Sequence, residues 1–192
     1  MPKIIWKGGA LLAPVPAVLV TSSLSGKPNV CTAAWTGMLN TNPAKTYISL
    51  RPSRYTHEII TGSGEFCMNL PASRLVRIVD FCGVKSGRDA DKFRILSITP
   101  EDCSAVSCPS ILECPVRIEC RVDRTIPLGS HDMFIADIVS VGVDERLLDE
   151  NGRLHLEKAG LMTYSHGEYF ALGRKIGKFG FSVKKKDRNT KK

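Results

Sequence analysis

The sequence lacks the short motifs that mark many nucleotide, metal and hydrolase sites. No G-x-G-x-x-G follows a predicted strand and no G-x-x-x-x-G-K-[ST] occurs, which excludes the familiar dinucleotide fold and the P-loop. The seven cysteines and four histidines contain no C-x-x-C and no H-x-x-x-H pair, so no metal site is predicted. Paired carboxylates and a supported Ser-His-Asp arrangement are also missing.

Long apolar runs are missing too. No segment reaches the roughly 18 apolar residues that a membrane helix requires. An apolar stretch follows Lys3 and Lys7, but Pro14 and Pro16 would break a helical core, so we interpret it as the lead-in to a strand rather than a signal peptide. An odd cysteine count in a chain of 192 residues argues for reduced, buried thiols. We therefore predict a cytoplasmic protein with no membrane association.

The basic charge is concentrated at one end. Residues 184–192 hold six basic residues and one acidic residue, and so carry +5 of the formal net charge of +8. The body is nearly balanced, which argues against nucleic-acid binding by the body. We predict one domain over residues 1–183 and a disordered basic tail over 184–192.

Alternating and helical patterns predict a mainly β chain with a few short helices. The predicted strands cover residues 17–24, 29–35, 45–51, 65–70, 114–124 and 133–143. The predicted helices cover residues 54–61, 73–82 and 89–93, and residues 37–43 are predicted as a loop. Ser53, Ser73 and Asp89 are the predicted N-caps, and Gly62 and Gly83 the predicted ends of the first two helices. In strand 114–124, Val116, Ile118, Cys120 and Val122 are expected to face inward, and Arg117, Glu119, Arg121 and Asp123 to face water. Such strands, joined mainly by hairpins, indicate a small antiparallel barrel.

Two segments, 49–62 and 85–93, gather hydroxyls and cations at a loop that opens a helix. Unpaired backbone N–H groups at a helix start, together with Arg or Lys and Ser or Thr side chains, suit a phosphate group. Helix capping and solvated charge would explain either segment alone. Two of them in one small domain predict a single phosphorylated ligand held from two sides.

Four motifs, at residues 28–36, 49–56, 86–93 and 129–132, resemble those of the flavin reductase-like, FMN-binding split-barrel family. The resemblance covers residues 16–143, with weaker similarity over 164–173, and is greatest to the stand-alone, flavoredoxin-type branch. It implies a six-stranded antiparallel split barrel of Greek-key type. It also implies a homodimer with FMN near the subunit interface.

The resemblance assigns roles to particular residues. Arg51, Ser53, Arg54, Thr56, Ser86 and Lys92 would hold the FMN phosphate. Ala33, Ala34, Trp35 and Thr36 would lie along the isoalloxazine, Tyr164 and Tyr169 would cover it from the partner subunit, and His131 would be the catalytic residue beside the flavin or the nicotinamide. Structural alternatives stay open: Ser53 as a cap, Lys92 as a surface residue, Trp35 as barrel core or interface, and His131 as a strand start.

Three functions follow as hypotheses. The first is an oxidoreductase in which NADH or NADPH reduces bound FMN, which passes electrons to free flavin, ferric iron or a protein acceptor. The second is an FMN-binding electron carrier with a redox partner protein and no nicotinamide site. The third, nucleic-acid association through residues 184–192, is disfavoured because no aromatic platform accompanies the cations.

Overall fold

The computed structural model describes residues 1–183, so the predicted basic tail lies outside the described residues. The strands are β1 (Val15–Pro16), β2 (Val18–Leu24), β3 (Lys27–Ala33), β4 (Thr36–Thr41), β5 (Ala44–Leu50), β6 (Glu65–Leu70), β7 (Pro100–Glu101), β8 (Ser110–Ile111), β9 (Val116–Pro127), β10 (Asp132–Val143), β11 (Met162–Ser165) and β12 (Glu168–Ala171). The helices are α1 (Tyr55–Ser63), α2 (Val76–Val84) and α3 (Lys92–Leu96). Short 3₁₀ turns cover Ser73–Leu75, Glu145–Leu147, Leu156–Ala159 and Phe181–Val183.

A seven-stranded antiparallel sheet forms the body, in the order β3-β2-β6-β9-β10-β5-β4. Six of these strands contribute to one buried apolar cluster, which includes Val20, Cys31, Ile48, Phe66 and Phe134. The prediction of a mainly β, antiparallel fold with a few short helices is confirmed. The alternation of apolar residues along each of the six strands accounts for this core, because successive side chains face opposite sides of a sheet.

One segment that was predicted as a loop forms the seventh strand of this sheet. Residues 37–43 are not a loop: Thr36–Thr41 forms β4, which pairs with β5 in an antiparallel hairpin. Much of β4 is solvent-exposed, including Met38 and Leu39. A strand that contributes nothing to the buried cluster carries no apolar alternation, which is why its sequence resembles a loop.

Three predicted helix boundaries are also wrong. α1 ends at Gly64 rather than Gly62, because Gly64 adopts φ 70° and its N–H donates to the carbonyl of Ile60. A left-handed residue after the last turn is the usual helix terminator, and glycine adopts it without a steric cost. α2 begins at Val76, after a 3₁₀ turn over Ser73–Leu75, and it continues through Gly83 to Val84.

In β9, Glu119 does not face water as the alternating pattern predicts. Its side chain is fully buried rather than facing water. The carboxylate accepts hydrogen bonds from the backbone N–H groups of Ser104 (3.1 Å) and Ala105 (2.6 Å). Arg117 Nε lies 3.3 Å from it. The outer face of β9 is therefore covered by a loop at Glu119, whereas Arg121 and Asp123 face water as predicted. Strand periodicity cannot reveal such a cover.

A second layer packs on β2 and β3. Val79 and Cys82 of α2 and Phe93 of α3 form a buried cluster with Leu19 and Val30. The small sheet β1-β11-β12 joins this cluster through Met162, with Tyr164 and Tyr169 packed against it. This layer brings α2 and the β11–β12 hairpin to the end of β3.

The cysteines are free thiols, and all except the half-buried Cys103 are buried. The predicted burial of most thiols is therefore confirmed. Within residues 1–183, no helix combines the length and apolar character needed to cross a bilayer.

Candidate functional site

The two cationic segments of the sequence meet at one cavity of about 390 Å³, here called the polar cavity. The residues that line it are Cys31, Arg51, Ser53, Arg54, Tyr55, Thr56, Lys85, Ser86, Gly87 and Lys92. Ser53 and Ser86 therefore share a cavity although α1, β6 and α2 lie between them in the chain. The predicted convergence of the two segments is present in the structure.

The first side of the polar cavity is an uncapped helix start. Ser53 is not the N-cap of α1; that position is Arg54, whose side chain makes no capping hydrogen bond. A turn in which Arg54 N–H donates to the Arg51 carbonyl (3.0 Å) moves the helix start one residue later than predicted. Orphan N–H groups at an uncapped helix start can bind an anion. Among the ion pairs within residues 1–183, none uses Arg51 or Arg54, and both residues are exposed.

The second side is a turn that opens at Ser86, where Asp89 N–H donates to the Ser86 carbonyl (3.3 Å). Asp89 is not the cap of α3, contrary to the prediction. Asp91 is the cap, because its carboxylate accepts from Arg94 N–H at 3.1 Å. The Arg88 side chain connects the two sides, since its Nη1 donates to the Ser53 carbonyl at 3.1 Å.

Gly87 lies where only a glycine fits. A Cβ at this position would come within 1.9 Å of Asn29 Oδ1. Asn29 is buried, and its Nδ2 donates to the Thr56 hydroxyl at 2.7 Å. Gly87 therefore allows the second side to approach the residues that hold the first.

We expect Gly87→Ala to displace Asn29, weaken the Asn29–Thr56 hydrogen bond and widen the polar cavity. The variant should lose about 1–3 kcal/mol of unfolding free energy, as overpacked sites do, and bind FMN, the ligand that the sequence resemblance implies, more weakly. Denaturant unfolding and flavin titration measure the two effects. Gly173→Ala is the control, because a Cβ added at Gly173 would have no atom within 4 Å. Equal stability and equal flavin affinity of Gly87→Ala and Gly173→Ala would contradict the close approach of Gly87 to Asn29.

Lys92 is buried rather than lying on the surface. Its Nζ donates to the carbonyls of Val30 (2.6 Å) and Cys82 (3.2 Å), which leaves one N–H of the ammonium for the polar cavity. Burial lowers the pKa of Lys92 from its ordinary value. This side chain thus ties β3 to α2 and also lines the cavity.

A second cavity of about 460 Å³ adjoins the first and shares Arg51 and Arg54 with it. We call it the aromatic cavity. Its lining residues are Ala17, Thr32, Ala33, Ala34, Trp35, Ser49, Leu50, Arg51, Arg54, Asp80, Gly83, Val84, His131, Tyr164, Gly167 and Tyr169. The two cavities meet at these two arginines, and we refer to them together as the groove, with a cationic end and an aromatic end.

Trp35 and His131 stand together at the aromatic end. Their ring centroids are 4.4 Å apart with an interplanar angle of 37°. Ser130 Oγ lies 3.0 Å from His131 Nδ1. Burial, followed by the nearby charge of Arg51, lowers the pKa of His131 from its ordinary value of 6.5. Both effects favour the neutral form of the imidazole, which lies beside the indole.

The structure brings four of the five predicted ring contacts to the aromatic cavity. Ala33, Ala34, Trp35 and His131 line the aromatic cavity, whereas Thr36 lines neither cavity. The Thr36 hydroxyl donates to the Tyr47 carbonyl at 2.5 Å. Thr36 begins β4, and its hydroxyl is used within the β4–β5 hairpin.

Sequence reasoning missed several lining residues, among them Asp80, Gly83 and Val84 of α2. Tyr164 and Tyr169 line the groove of their own chain, where the sequence suggested a contribution from a partner subunit. Their rings are 5.3 Å apart, and Tyr169 Oη lies 3.5 Å from Asp80 Oδ1. The sequence signal for this part of the site was the pair of tyrosines. Their position beside β3 depends on how the second layer packs on the main sheet.

No group of three His, Cys, Asp or Glu side chains able to hold a metal ion occurs within the described residues 1–183. The donors along the groove are guanidinium, ammonium, hydroxyl and backbone N–H groups. These are donors for an anionic ligand rather than ligands for a cation.

The sequence comparison agrees with this geometry. The flavin reductase like domain family matches residues 11–173, and this chain belongs to that family. The antiparallel fold of the chain is the family's split barrel.

Particular relatives can also be named. The chain is similar to the structure of flavoredoxin of Desulfovibrio vulgaris (Miyazaki F), with a TM-score of 0.88 and 32% identity, covering 95% of this chain and 100% of that one. It is similar to flavoredoxin from Methanosarcina acetivorans, with a TM-score of 0.85 and 27% identity, covering 96% and 100%. An uncharacterized protein of Archaeoglobus fulgidus is 33% identical over 159 residues, which are 83% of this chain and 88% of that protein.

Proposed function

We propose that this chain is an FMN-binding oxidoreductase. The observation that carries the proposal is that the polar and aromatic cavities lie side by side and share Arg51 and Arg54. FMN has a dianionic phosphate at one end and a flat, largely apolar ring system at the other. A groove with cations at one end and aromatic side chains at the other fits both parts.

The polar cavity would hold the phosphate. Arg51 and Arg54 supply two guanidinium groups, Ser53 and Ser86 supply hydroxyls, and the start of α1 supplies backbone N–H groups. Charge-assisted hydrogen bonds of this kind are about twice as strong as neutral ones. Thr56 lines the inner side of the polar cavity, where it is buried and its hydroxyl accepts a hydrogen bond from Asn29 Nδ2.

The aromatic cavity would hold the isoalloxazine. When bound, FMN supplies the hydride and electron chemistry through its own ring. The chain's residues then bind and orient the ring: Ala33 and Ala34 leave room beside β3, and Trp35 and His131 form one wall. A neutral His131 can donate or accept one hydrogen bond at a ring nitrogen, and it adds no charge to the groove.

NADH or NADPH is the proposed electron donor, and free flavin, ferric iron or a protein is the proposed acceptor. Trp35 is about half exposed, so the outer side of the aromatic cavity is open to a second planar ring. The purified protein should be yellow, and heating should release FMN.

Anaerobic mixing with NADH or NADPH tests the activity. We expect the absorbance of bound flavin to bleach promptly in the natural protein. In His131→Ala, loss of the hydrogen-bonding ring nitrogen beside the flavin should slow bleaching by about a hundredfold while FMN stays bound. His166→Ala is the control, because His166 lies outside the cavity lining. A normal rate in His131→Ala would remove this residue from the reaction.

A second candidate function is an electron carrier without a nicotinamide site. It is favoured by one observation, the similarity to two structures named flavoredoxin. In that case the flavin would not bleach with NADH or NADPH alone. It would be reduced only after a redox partner protein is added.

The proposal includes a homodimer. Residues 1–14 lie outside the main sheet and expose large apolar side chains, including Ile4, Ile5, Trp6 and Leu12. Leu172, Ile176 and Phe179 are similarly exposed near the other end of the described chain. Apolar groups in such numbers usually pack against a partner. Sedimentation equilibrium should therefore give twice the monomer mass of 21.1 kDa.

A further inference from the structure

Three cysteines form a cluster away from the groove, here called the thiol cluster: Cys67, Cys103 and Cys108. Cys67 and Cys108 are buried with Val106 in a small core cluster, and Cys103 packs against it. Cys103 is the one cysteine of the chain that is not fully buried. From the sequence alone we expect ordinary buried thiols, because the four residues between Cys103 and Cys108 do not match the C-x-x-C spacing of a dithiol redox motif.

The loop that carries Cys103 and Cys108 is fastened at its centre. Ser104 and Ala105 donate backbone N–H groups to Glu119, and Ser107 donates its N–H to Glu65 at 2.9 Å. These bonds hold the loop over β6 and β9. They also fold the segment so that the cysteines at its two ends contact the same cluster.

The thiol cluster lies apart from the flavin groove and meets solvent at Cys103. The half-buried Cys103 and the buried Cys108 line a cavity of about 460 Å³ together with Ser23, Asp102 and Pro109. This cavity shares no lining residue with the polar or the aromatic cavity. A small oxidant can therefore reach Cys103 without passing the groove, and Cys108 lies behind it in the same cluster.

The pKa values of the three thiols are shifted in different directions. Hydrogen bonds from Cys108 and Cys67 lower the pKa of the Cys103 thiol, and the charge of Arg117 acts in the same direction. The hydrogen bond with Cys103, reinforced by burial, raises the pKa of Cys108 and of Cys67. The thiolate is the reactive form of cysteine, so Cys103 is the nucleophile of the cluster.

We propose that Cys103 and Cys108 are a redox pair that hydroperoxides oxidise reversibly to an intramolecular disulfide. Cys103 Sγ attacks one peroxide oxygen, the O–O bond breaks, and an S–O bond forms; for hydrogen peroxide the leaving hydroxide takes a proton to become water. Cys108 Sγ then attacks Cys103 Sγ, the S–O bond breaks, and an S–S bond forms. The second hydroxide leaves as water with the Cys108 proton. Two thiols lose two electrons, and one hydrogen peroxide becomes two waters.

Cys108 rather than Cys67 is the resolving residue. Cys67 lies in the middle of β6, which is paired with β2 on one side and β9 on the other, and its backbone is fixed. Cys103 and Cys108 lie near the two ends of one irregular loop outside the main sheet. The bonds that fasten this loop are made by the residues between them, so the backbone at the two cysteines can adjust to disulfide geometry.

Mass spectrometry on the full chain tests the pair. The reduced protein is treated with one equivalent of hydrogen peroxide, alkylated, and cleaved after glutamate. Cleavage at Glu101 and Glu113 releases residues 102–113, which contain Cys103 and Cys108 and no other cysteine. We expect this peptide to be unalkylated and lighter by two hydrogens than its reduced form, and dithiothreitol to restore two alkylation sites.

Variants separate the steps. Cys108→Ser should stop at a sulfenic acid on Cys103, trapped as a dimedone adduct, and Cys103→Ser should give neither adduct nor disulfide. Cys114→Ala is the matched control and should form the disulfide normally, because Cys114 belongs to a different buried cluster. Two alkylated cysteines in peptide 102–113 after peroxide treatment, or a cross-link to the peptide carrying Cys67, would overturn the proposal.

Discussion

Replacing Arg54 with alanine should raise the dissociation constant for FMN by roughly ten- to a hundredfold. A charge-assisted hydrogen bond is worth about 1.5–3 kcal/mol, and about 1.4 kcal/mol corresponds to a tenfold change in affinity. Arg51→Ala should act similarly, because both guanidinium groups line the polar cavity. The double variant should lose FMN during gel filtration. Fluorescence titration of the apoprotein gives the dissociation constants.

Riboflavin provides the matched ligand control. It has the same ring system as FMN but no phosphate, so Arg54→Ala should leave its affinity nearly unchanged. Arg124→Ala is the matched protein control, because Arg124 lies on β9 outside both cavities. Equal losses of FMN and riboflavin affinity would place Arg54 at the ring instead of the phosphate. An unchanged FMN affinity would remove Arg54 from the site.

Replacing Glu119 with alanine should produce the largest loss of stability. The buried carboxylate accepts from Ser104 N–H, Ala105 N–H and the Ser104 hydroxyl, and it lies beside Arg117. A hydrogen bond to a charged group contributes about 1.5–3 kcal/mol, so losing several of them should cost about 2–5 kcal/mol. For a chain of this size that corresponds to a melting temperature roughly 5–15 °C lower. Calorimetry measures the shift.

Glu150→Ala is the control for this substitution, because Glu150 is exposed in a turn and should change stability by less than about 0.5 kcal/mol. Similar melting temperatures for Glu119→Ala and Glu150→Ala would contradict the buried role. In Glu119→Ala the loop over β6 and β9 should also exchange its amide hydrogens faster.

The stabilisation by Glu119 should depend on pH in a defined direction. Burial opposes ionisation, but the backbone donors of Ser104 and Ala105 outweigh it, and the pKa of Glu119 lies below its ordinary value of 4.5. A carboxylate whose pKa is lowered by folding stabilises the protein above the unfolded value and loses that contribution as the pH falls through the folded value. The stability difference between the natural protein and Glu119→Gln should therefore shrink below pH 4.5 and stay constant above it.

Much of the barrel could be predicted from the sequence. In the six strands of the buried cluster, every second residue is apolar and faces the core, and β2 and β6 are buried on their other face as well. Segments whose conformation is set by other contacts were predicted less well. β4 has no apolar face, and the start of α1 depends on the Arg51–Arg54 turn rather than on the capping preference of Ser53.

By itself the sequence determined the antiparallel strands, the burial of most cysteines, and the two cationic segments at Arg51–Arg54 and Ser86–Lys92. These follow from local periodicity and residue chemistry, which act over a few positions of the chain. The sequence also predicted that Ser53 and Ser86 meet at one ligand, and the structure brings them to one cavity. Only the tertiary structure decided that Tyr164 and Tyr169 complete the groove of their own chain and that a loop buries Glu119. Each of these depends on contacts between segments far apart in the chain, and such contacts leave no periodic pattern in either segment.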